Sequence, residues 1–289
     1  MRAPNINELF LGQSNGFPGA TDFCDIVRNP TRTAAEADFC VQLGVPEANI
    51  DTYTQDNIQI EALFGGNPDL HEETSDTWSI GAVYTPEAVP GLLLSADLYS
   101  IKIQDAIATF GGGLQSTIDA CAVALDLNDP FCAVLTARES DGQLSKVSLF
   151  NQNIAALETK GVDFNAAYGF EAMGGDFDIK LAGTRLFDSI TQGSPILEAN
   201  ECAGAVGVRT ICGRANPKWR MTGRVTYRRD ALTASVRYRY IGKVTDERVA
   251  LGNEEPENLF RPYIGDQHYF DATVSYQFTD DLSLYTTID

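Results

Sequence analysis

The run from Lys218 to Tyr240 constrains the fold more than any other stretch. Trp219, Met221, Gly223, Val225 and Tyr227 share one parity, and Arg220, Thr222, Arg224, Thr226 and Arg228 share the other. The chain turns through Arg229, Asp230 and Ala231. It returns with Leu232, Ala234, Val236, Tyr238 and Tyr240 alternating with Thr233, Ser235, Arg237 and Arg239. A period of two over arms this long is a β-hairpin with one apolar face and one arginine-bearing face. A soluble sandwich would bury the apolar face. A membrane barrel would turn it to lipid and keep the polar face on a wet lumen. The sense of the two faces is the question on which function turns.

The same alternation recurs along the chain. A strand begins at Thr77 with Trp78, Ile80, Ala82 and Tyr84 on one face, and Leu92 to Gln104 forms the next. Residues 146–170 end with Val162, Phe164, Ala166, Tyr168 and Phe170 set against Asp163 and Asn165. Phe177, Ile179 and Leu181 alternate with Asp178 and Lys180; Phe270 to Phe278 alternates with Asp271, Thr273, Ser275 and Gln277; a further strand starts at Leu282. The pattern predicts about eight strands. Their links alternate between turns of a few residues and long excursions at about 11–73, 105–145, 189–216 and 243–267. Structureless links of that length are uncommon in compact soluble domains. They match outer-membrane barrels, which have short periplasmic turns and long extracellular loops. An aromatic residue on the apolar face precedes each short turn, at Tyr84, Phe170, Tyr227 and Phe278. That is the placement of an aromatic girdle at one membrane interface, although aromatics are common in any strand. The expected fold is all-β, a segment of an antiparallel transmembrane β-barrel, with a soluble β-sandwich as the competing fold. On the barrel reading Asp163, Asp178, Lys180, Arg220, Arg224, Arg228, Arg237, Arg239 and Asp271 face the lumen. There they line water or contact another domain inside the barrel, either as a plain lumen lining or in contact with a substrate.

Charge and cysteine content narrow the compartment. Net charge is −19, from 40 acidic against 21 basic residues, which argues against a nucleic-acid partner. No apolar run approaches the ~20 residues of a membrane helix, but barrel strands need only ~9–11 alternating residues. Six cysteines allow 15 pairings. They fall into three local couples, predicting Cys24–Cys40, Cys121–Cys132 and Cys202–Cys212 in an oxidising compartment. Zinc is the weaker reading, because there is no C-x-x-C and the histidines are His71 and His268. No metal site, cofactor or catalytic constellation is expected. Phe110-Gly111-Gly112-Gly113 lacks the Lys and Ser/Thr of a phosphate loop. The acidic stretch Asp246 to Glu257 reads as a solvated loop or as a calcium bridge to lipopolysaccharide. A short helix fits Thr31–Val41.

Arg2-Ala3-Pro4-Asn5-Ile6-Asn7-Glu8-Leu9-Phe10 closely resembles a signature in the barrel of TonB-dependent outer-membrane receptors. Asn67-Pro68-Asp69-Leu70 followed by Glu72-Glu73-Thr74-Ser75 is similar to the next signature, and Asn153 to Phe164, with Glu158-Thr159-Lys160-Gly161-Val162-Asp163, to a third. Leu284 to Asp289 resembles the start of the family's closing segment. The resemblance implies that residues 1–289 are a C-terminal part of a barrel of about 22 strands. It also implies that the plug, the segment contacting TonB and the last strands are absent from this chain. It implies a receptor in the outer membrane of a Gram-negative bacterium, surrounded by outer-membrane lipids. Such a receptor imports a scarce nutrient, such as a ferric siderophore or an oligosaccharide, with energy from the TonB–ExbB–ExbD complex. Haem receptors of the family usually carry a histidine between the first two boxes; here none lies between Pro4 and Asn67, and His71 follows the second box. Phe17, Tyr53, Phe64 and Phe110 are loop aromatics that either stack on cargo or pack the loops. The competing functions are a passive outer-membrane porin and a soluble lectin-like binding protein.

Overall fold

The computed structural model describes residues 1–193, 198–207 and 212–288, so part of the 189–216 loop and Asp289 lie outside them. Eight long strands follow one another: β1 Thr74–Tyr84, β2 Leu92–Thr109, β3 Asn151–Ala172, β4 Gly175–Gln192, β5 Trp219–Arg229, β6 Leu232–Ile241, β7 Gln267–Thr279 and β8 Leu282–Ile288. They are the alternating segments, because successive side chains of an extended chain leave on opposite sides. Each hydrogen-bonds to its neighbour in chain order, and Asn200–Glu201 adds a short ninth strand beside β4. The pairs β4–β5, β5–β6, β6–β7 and β7–β8 are antiparallel. β3 and β4 are joined by Met173 and Gly174, both with positive φ, at 56° and 74°. A two-residue link of that kind has the twist that lets antiparallel strands continue straight into a hairpin.

The chain divides into two compact units. Met1–Ser75, Ile103–Leu157 and Thr191–Ala199 make the first; Asp76–Lys102, Glu158–Ile190 and Asn200–Asp289 make the second. The first contains the excursions 11–73 and 105–145, and these are folded rather than structureless. Phe39, Leu43, Ile60, Phe110, Ile118, Phe131 and Leu135 form one buried cluster drawn from both excursions. A three-stranded sheet of Ser14–Gly16, Ala62–Phe64 and Val147–Ser148 supports it.

Helix Ala34–Gln42 covers the expected Thr31–Val41 region. It starts where Thr33 accepts from the Glu36 N–H and the Glu36 carboxylate accepts from the Thr33 N–H. This reciprocal cap satisfies two of the donors that a helix start leaves open. Helix Leu114–Ala124 follows Gly111, Gly112 and Gly113, all at positive φ, so that glycine run turns the chain into a helix. Disulfides Cys24–Cys40 and Cys121–Cys132 lie wholly inside this unit, with all four cysteines inaccessible.

The second unit is mostly sheet. At its loop side Ala205–Val206 pairs in parallel with Thr245–Asp246, Tyr263–Ile264 pairs with Val244–Thr245, and the Cys202–Cys212 disulfide closes the segment. Its buried apolar cluster is small: Cys202, Ala205 and Cys212, with Leu251 against them.

Candidate functional site

Three arrangements carry the sequence-predicted residues. The first joins the motifs of the first unit. Asn5 caps the helix Ile6–Phe10, accepting from the Glu8 N–H at 2.9 Å, while Glu8 accepts from the Asn5 N–H at 2.8 Å. The Arg2 guanidinium donates to Glu73 Oε2 and Oε1 at 2.7 and 2.8 Å and to both Glu8 oxygens at 3.0 Å. Backbone bonds of 3.0 and 2.9 Å run between Arg2 and Glu73 in both directions. Arg2 holds both carboxylates below the usual carboxylate range, and they hold its own proton more firmly still.

Asn67 donates its backbone N–H to Glu8 O at 2.8 Å and its amide to Asn151 O at 2.9 Å, and its Oδ1 accepts from the Asp69 N–H. Asn153 accepts from the His71 N–H and donates to the His71 and Asp105 carbonyls. The boxes that stand apart in sequence are one polar clamp, in which side-chain amides replace a regular ladder. Ala3, Pro4, Leu9, Pro68 and Leu70 lie along the same two segments, and Phe10 is exposed. In the third box Gly161 lies against the Tyr99 ring, where any Cβ would overlap the phenol.

The second arrangement is the polar heart of the loop core. Arg138, from the second excursion, grips Asp22 of the first with bonds of 2.7 and 3.1 Å, and both side chains are 1% exposed. The Tyr53 hydroxyl lies 3.1 Å from Asp22 Oδ2 and 2.7 Å from Gln55 Oε1; Gln55 also bonds the Leu144 N–H and C=O. Burial, and then the Asp22 charge, push the Tyr53 phenol well above its ordinary range. Burial opposes the Arg138 cation, but Asp22 and Tyr53 outweigh it and its pKa is raised. Sequence reasoning missed this pair, because 116 residues separate its members. Of the loop aromatics, Tyr53 and Phe110 are buried and Phe64 packs on the core, while Phe17 is exposed.

The third arrangement is the sheet. The charged residues expected to face the lumen share one face and fall into registered rows. Lys180, Arg224, Arg237 and Asp271 form one row across β4 to β7. The next row contains Ala182, Thr222, Arg239 and Tyr269. Arg220 lies opposite Thr184, whose hydroxyl bonds Asp163 at 2.5 Å. Arg228 lies opposite Asp176, and Asp178 sits 3.3 Å from Lys180. Asp271 accepts from Arg237 at 2.6 Å and from Arg239 at 3.1 Å.

The apolar face is uncovered. Val225, Val236 and Val274 are 41, 49 and 44% exposed. Among the described residues of the sheet in the second unit, the buried side chains are instead Ser100, Thr226 and Asp271. Phe170, Phe177 and Tyr227 stack in sequence beside the short turns, with centroids 5.2 and 4.8 Å apart. Tyr84 and Phe278 are exposed at the same ends of their strands.

A second aromatic group, not anticipated from the sequence, lies at the opposite ends. Trp219 meets Phe164 edge-on at 6.2 Å, Tyr238 packs on Phe270 at 4.9 Å, and His268 lies between Tyr238 and Tyr240. Eight residues separate Trp219 from Tyr227 and Phe270 from Phe278. That is about 27 Å along a strand and about 21 Å of height at a tilt of ~40°, close to the ~25 Å apolar band of an outer-membrane barrel.

Asp246 pairs with Arg248, and the Glu247 carboxylate accepts from the Cys212 N–H at 2.8 Å. Those two acidic residues therefore stabilise the loop segment internally. Among the described residues, no group of His, Cys, Asp and Glu is arranged to hold a metal.

The profile of the family described as TonB dependent receptor-like, beta-barrel, matches residues 1–289. The chain belongs to this family of TonB-dependent outer-membrane receptors. No curated protein sequence matches it. Similar solved structures include the ferric enterobactin receptor PfeA of Pseudomonas aeruginosa, at 13% identity, TM-score 0.47, covering 78% of this chain and 27% of that one. The siderophore receptor PirA of Acinetobacter baumannii matches at 13% identity, TM-score 0.46, covering 78% and 29%. The FrpB iron transporter of Neisseria meningitidis matches at 12% identity, TM-score 0.44, covering 76% and 27%. The chain spans between a quarter and a third of the length of these structures.

Proposed function

We propose that residues 1–289 are a loop-bearing part of the barrel wall of an outer-membrane active-transport receptor. The excursions at about 11–73, 105–145, 189–216 and 243–267 are its extracellular loops. Asp163, Asp178, Lys180, Arg220, Arg224, Arg228, Arg237, Arg239 and Asp271 line a watery interior. Tyr84, Phe170, Tyr227 and Phe278 sit at the periplasmic interface, and the Trp219–Phe270 group at the outer one.

One observation carries this reading: the sheet exposes its valines and buries Thr226 and Asp271. Exposed apolar surface of that extent is unfavourable in water and favourable against acyl chains. An arginine turned outward at mid-membrane would cost about 2–4 kcal/mol, which supports charged rows that face inward. The receptor binds a scarce nutrient, a ferric siderophore or an oligosaccharide-like cargo. It imports that cargo with energy delivered by TonB, ExbB and ExbD through a plug domain.

Uptake of ferric siderophores and oligosaccharides by cells producing the full-length receptor tests the proposal. Uptake should stop when TonB is deleted or the proton gradient is collapsed. Uptake that persists in both cases, with single-channel conductance from the purified protein, would establish a passive porin instead.

A further inference from the structure

Charge is spread unevenly over this chain. The excursions 11–73 and 105–145 make up about a third of it, yet they hold fourteen of its nineteen excess negative charges. Residues 11–73 carry eleven acidic side chains against Arg28 and Arg32. Residues 105–145 carry six against Arg138, and neither excursion contains a lysine.

All three arginines are turned toward the protein itself. Arg28 pairs with the buried Asp25 and donates to Gln55 O. Arg32 donates to the Cys24 and Ile50 carbonyls, at 2.5 and 2.8 Å. Arg138 is sealed against Asp22. The acidic side chains go the other way. Asp38, Glu47, Asp51, Asp56, Asp126 and Glu139 are exposed, and among the described residues none of them is in an ion pair. The fold therefore neutralises its interior carboxylates and leaves a solvent surface of one sign. In the sheet the balance is different: Asp271 pairs with Arg237 and Arg239, and Asp178 with Lys180.

We propose that these two excursions are an electrostatic filter, whose field draws positively charged solutes to the receptor and turns negatively charged ones away. No single carboxylate is the site; the summed field acts before contact. Fields of this kind change association rates by about 10–1,000-fold and fade as salt rises. For ferric complexes the filter separates two ligand chemistries. Three hydroxamates neutralise a ferric ion, so a pendant ammonium leaves that complex cationic. Three catecholates leave the complex triply negative. The inference rests on the reading of these excursions as the extracellular loops of an importer, and it adds the charge class of the cargo.

The test is stopped-flow association with the full-length receptor in phosphatidylcholine nanodiscs. The probes are ferrioxamine B, a cationic trihydroxamate complex, and ferric enterobactin, an anionic tris-catecholate. Rates are compared at about 0.01 and 1 M salt, where the Debye length is about 30 and 3 Å. Each complex is compared with itself, so the difference in their shapes drops out. Association of ferrioxamine B should slow by about tenfold as salt rises, and that of ferric enterobactin should quicken. The triple variant Glu47→Lys/Asp51→Lys/Glu139→Lys should lose most of both effects. Glu87→Lys/Asp280→Lys/Asp281→Lys makes the same change in net charge at the short turns and should keep them. An anionic complex that associates faster at low salt than at high, or equal losses in the two triple variants, overturns the filter and leaves the importer reading intact. If neither complex binds, the siderophore reading is lost and the filter with it.

Discussion

In the loop unit Leu43, Ile118 and Leu135 are buried, whereas in the sheet Val225, Val236 and Val274 are exposed and Thr226 and Asp271 are buried. The same twenty side chains obey opposite rules because the two regions answer to different solvents. The loop unit behaves as a small water-soluble domain. It has one apolar core, two disulfides and a buried Asp22–Arg138 pair that ties its two excursions together. Among the described residues the sheet has no such core. Its stability comes from cross-strand bonds and, on the membrane reading, from lipid against its apolar face. Neither region alone indicates a transport protein. One chain carries both a buried apolar core and a sheet whose apolar face is exposed.

The contrast can be broken in four ways. The largest effect is expected from Asp22→Ala. It leaves Arg138 buried without its counter-charge and should cost the loop unit about 3–5 kcal/mol. Hydrogen exchange should show lost protection around Leu43 and Leu135 and unchanged protection in β5 and β6; simultaneous loss in both would show that the regions unfold as one.

Next is Val236→Arg, expected to lower stability in bilayers by about 2–4 kcal/mol. Ser235→Arg, one residue away on the other face, should change it little. Equal costs in urea titration of the two variants would erase the distinction between faces.

Replacing Cys121 and Cys132 by Ala opens a loop of 11 residues and should cost the loop unit roughly 3 kcal/mol. Non-reducing peptide mapping of the wild type should return the three local links, and limited proteolysis of the variant should cut first near Leu125–Asn128.

The smallest effect concerns acid. Arg2 depresses the pKa of Glu8 and Glu73 below their ordinary 4.5. Their stabilisation is therefore fully present above that pH and is lost as pH falls through the lower folded values. For a partly exposed clamp this is about 1 kcal/mol or less. Arg2→Ala should remove the acid-dependent part of the melting shift between pH 5 and 3, and an unchanged shift would remove the clamp from the account.

The strands were legible because alternation is a local property of the chain. The hairpin from Trp219 to Ile241 and the turn at Met173–Gly174 needed nothing from distant residues. The disulfides were legible because each couple is close in sequence. The shared core of the two excursions was not. Ile60 and Ile118, or Asp22 and Arg138, meet across long stretches with no repeating pattern, so each excursion read alone is a polar loop. The second aromatic group was half visible. Trp219, Tyr238 and Phe270 alternate on the apolar face, but only the register across strands sets Tyr238 beside Phe270. The charged rows are a similar case: the sequence sorts Lys180, Arg224 and Arg237 to one face, and only pairing places them side by side.

Collision of spin labels with oxygen and with a water-soluble nickel chelate, in the outer membrane of cells producing the receptor, tests the assignment of faces directly. Labels on cysteines introduced at Val236 and Val225 should be relaxed by oxygen and shielded from nickel, and labels at Ser235 and Thr222 should show the reverse. Nickel access at 236 and 225 equal to that at 235 and 222 would contradict the account.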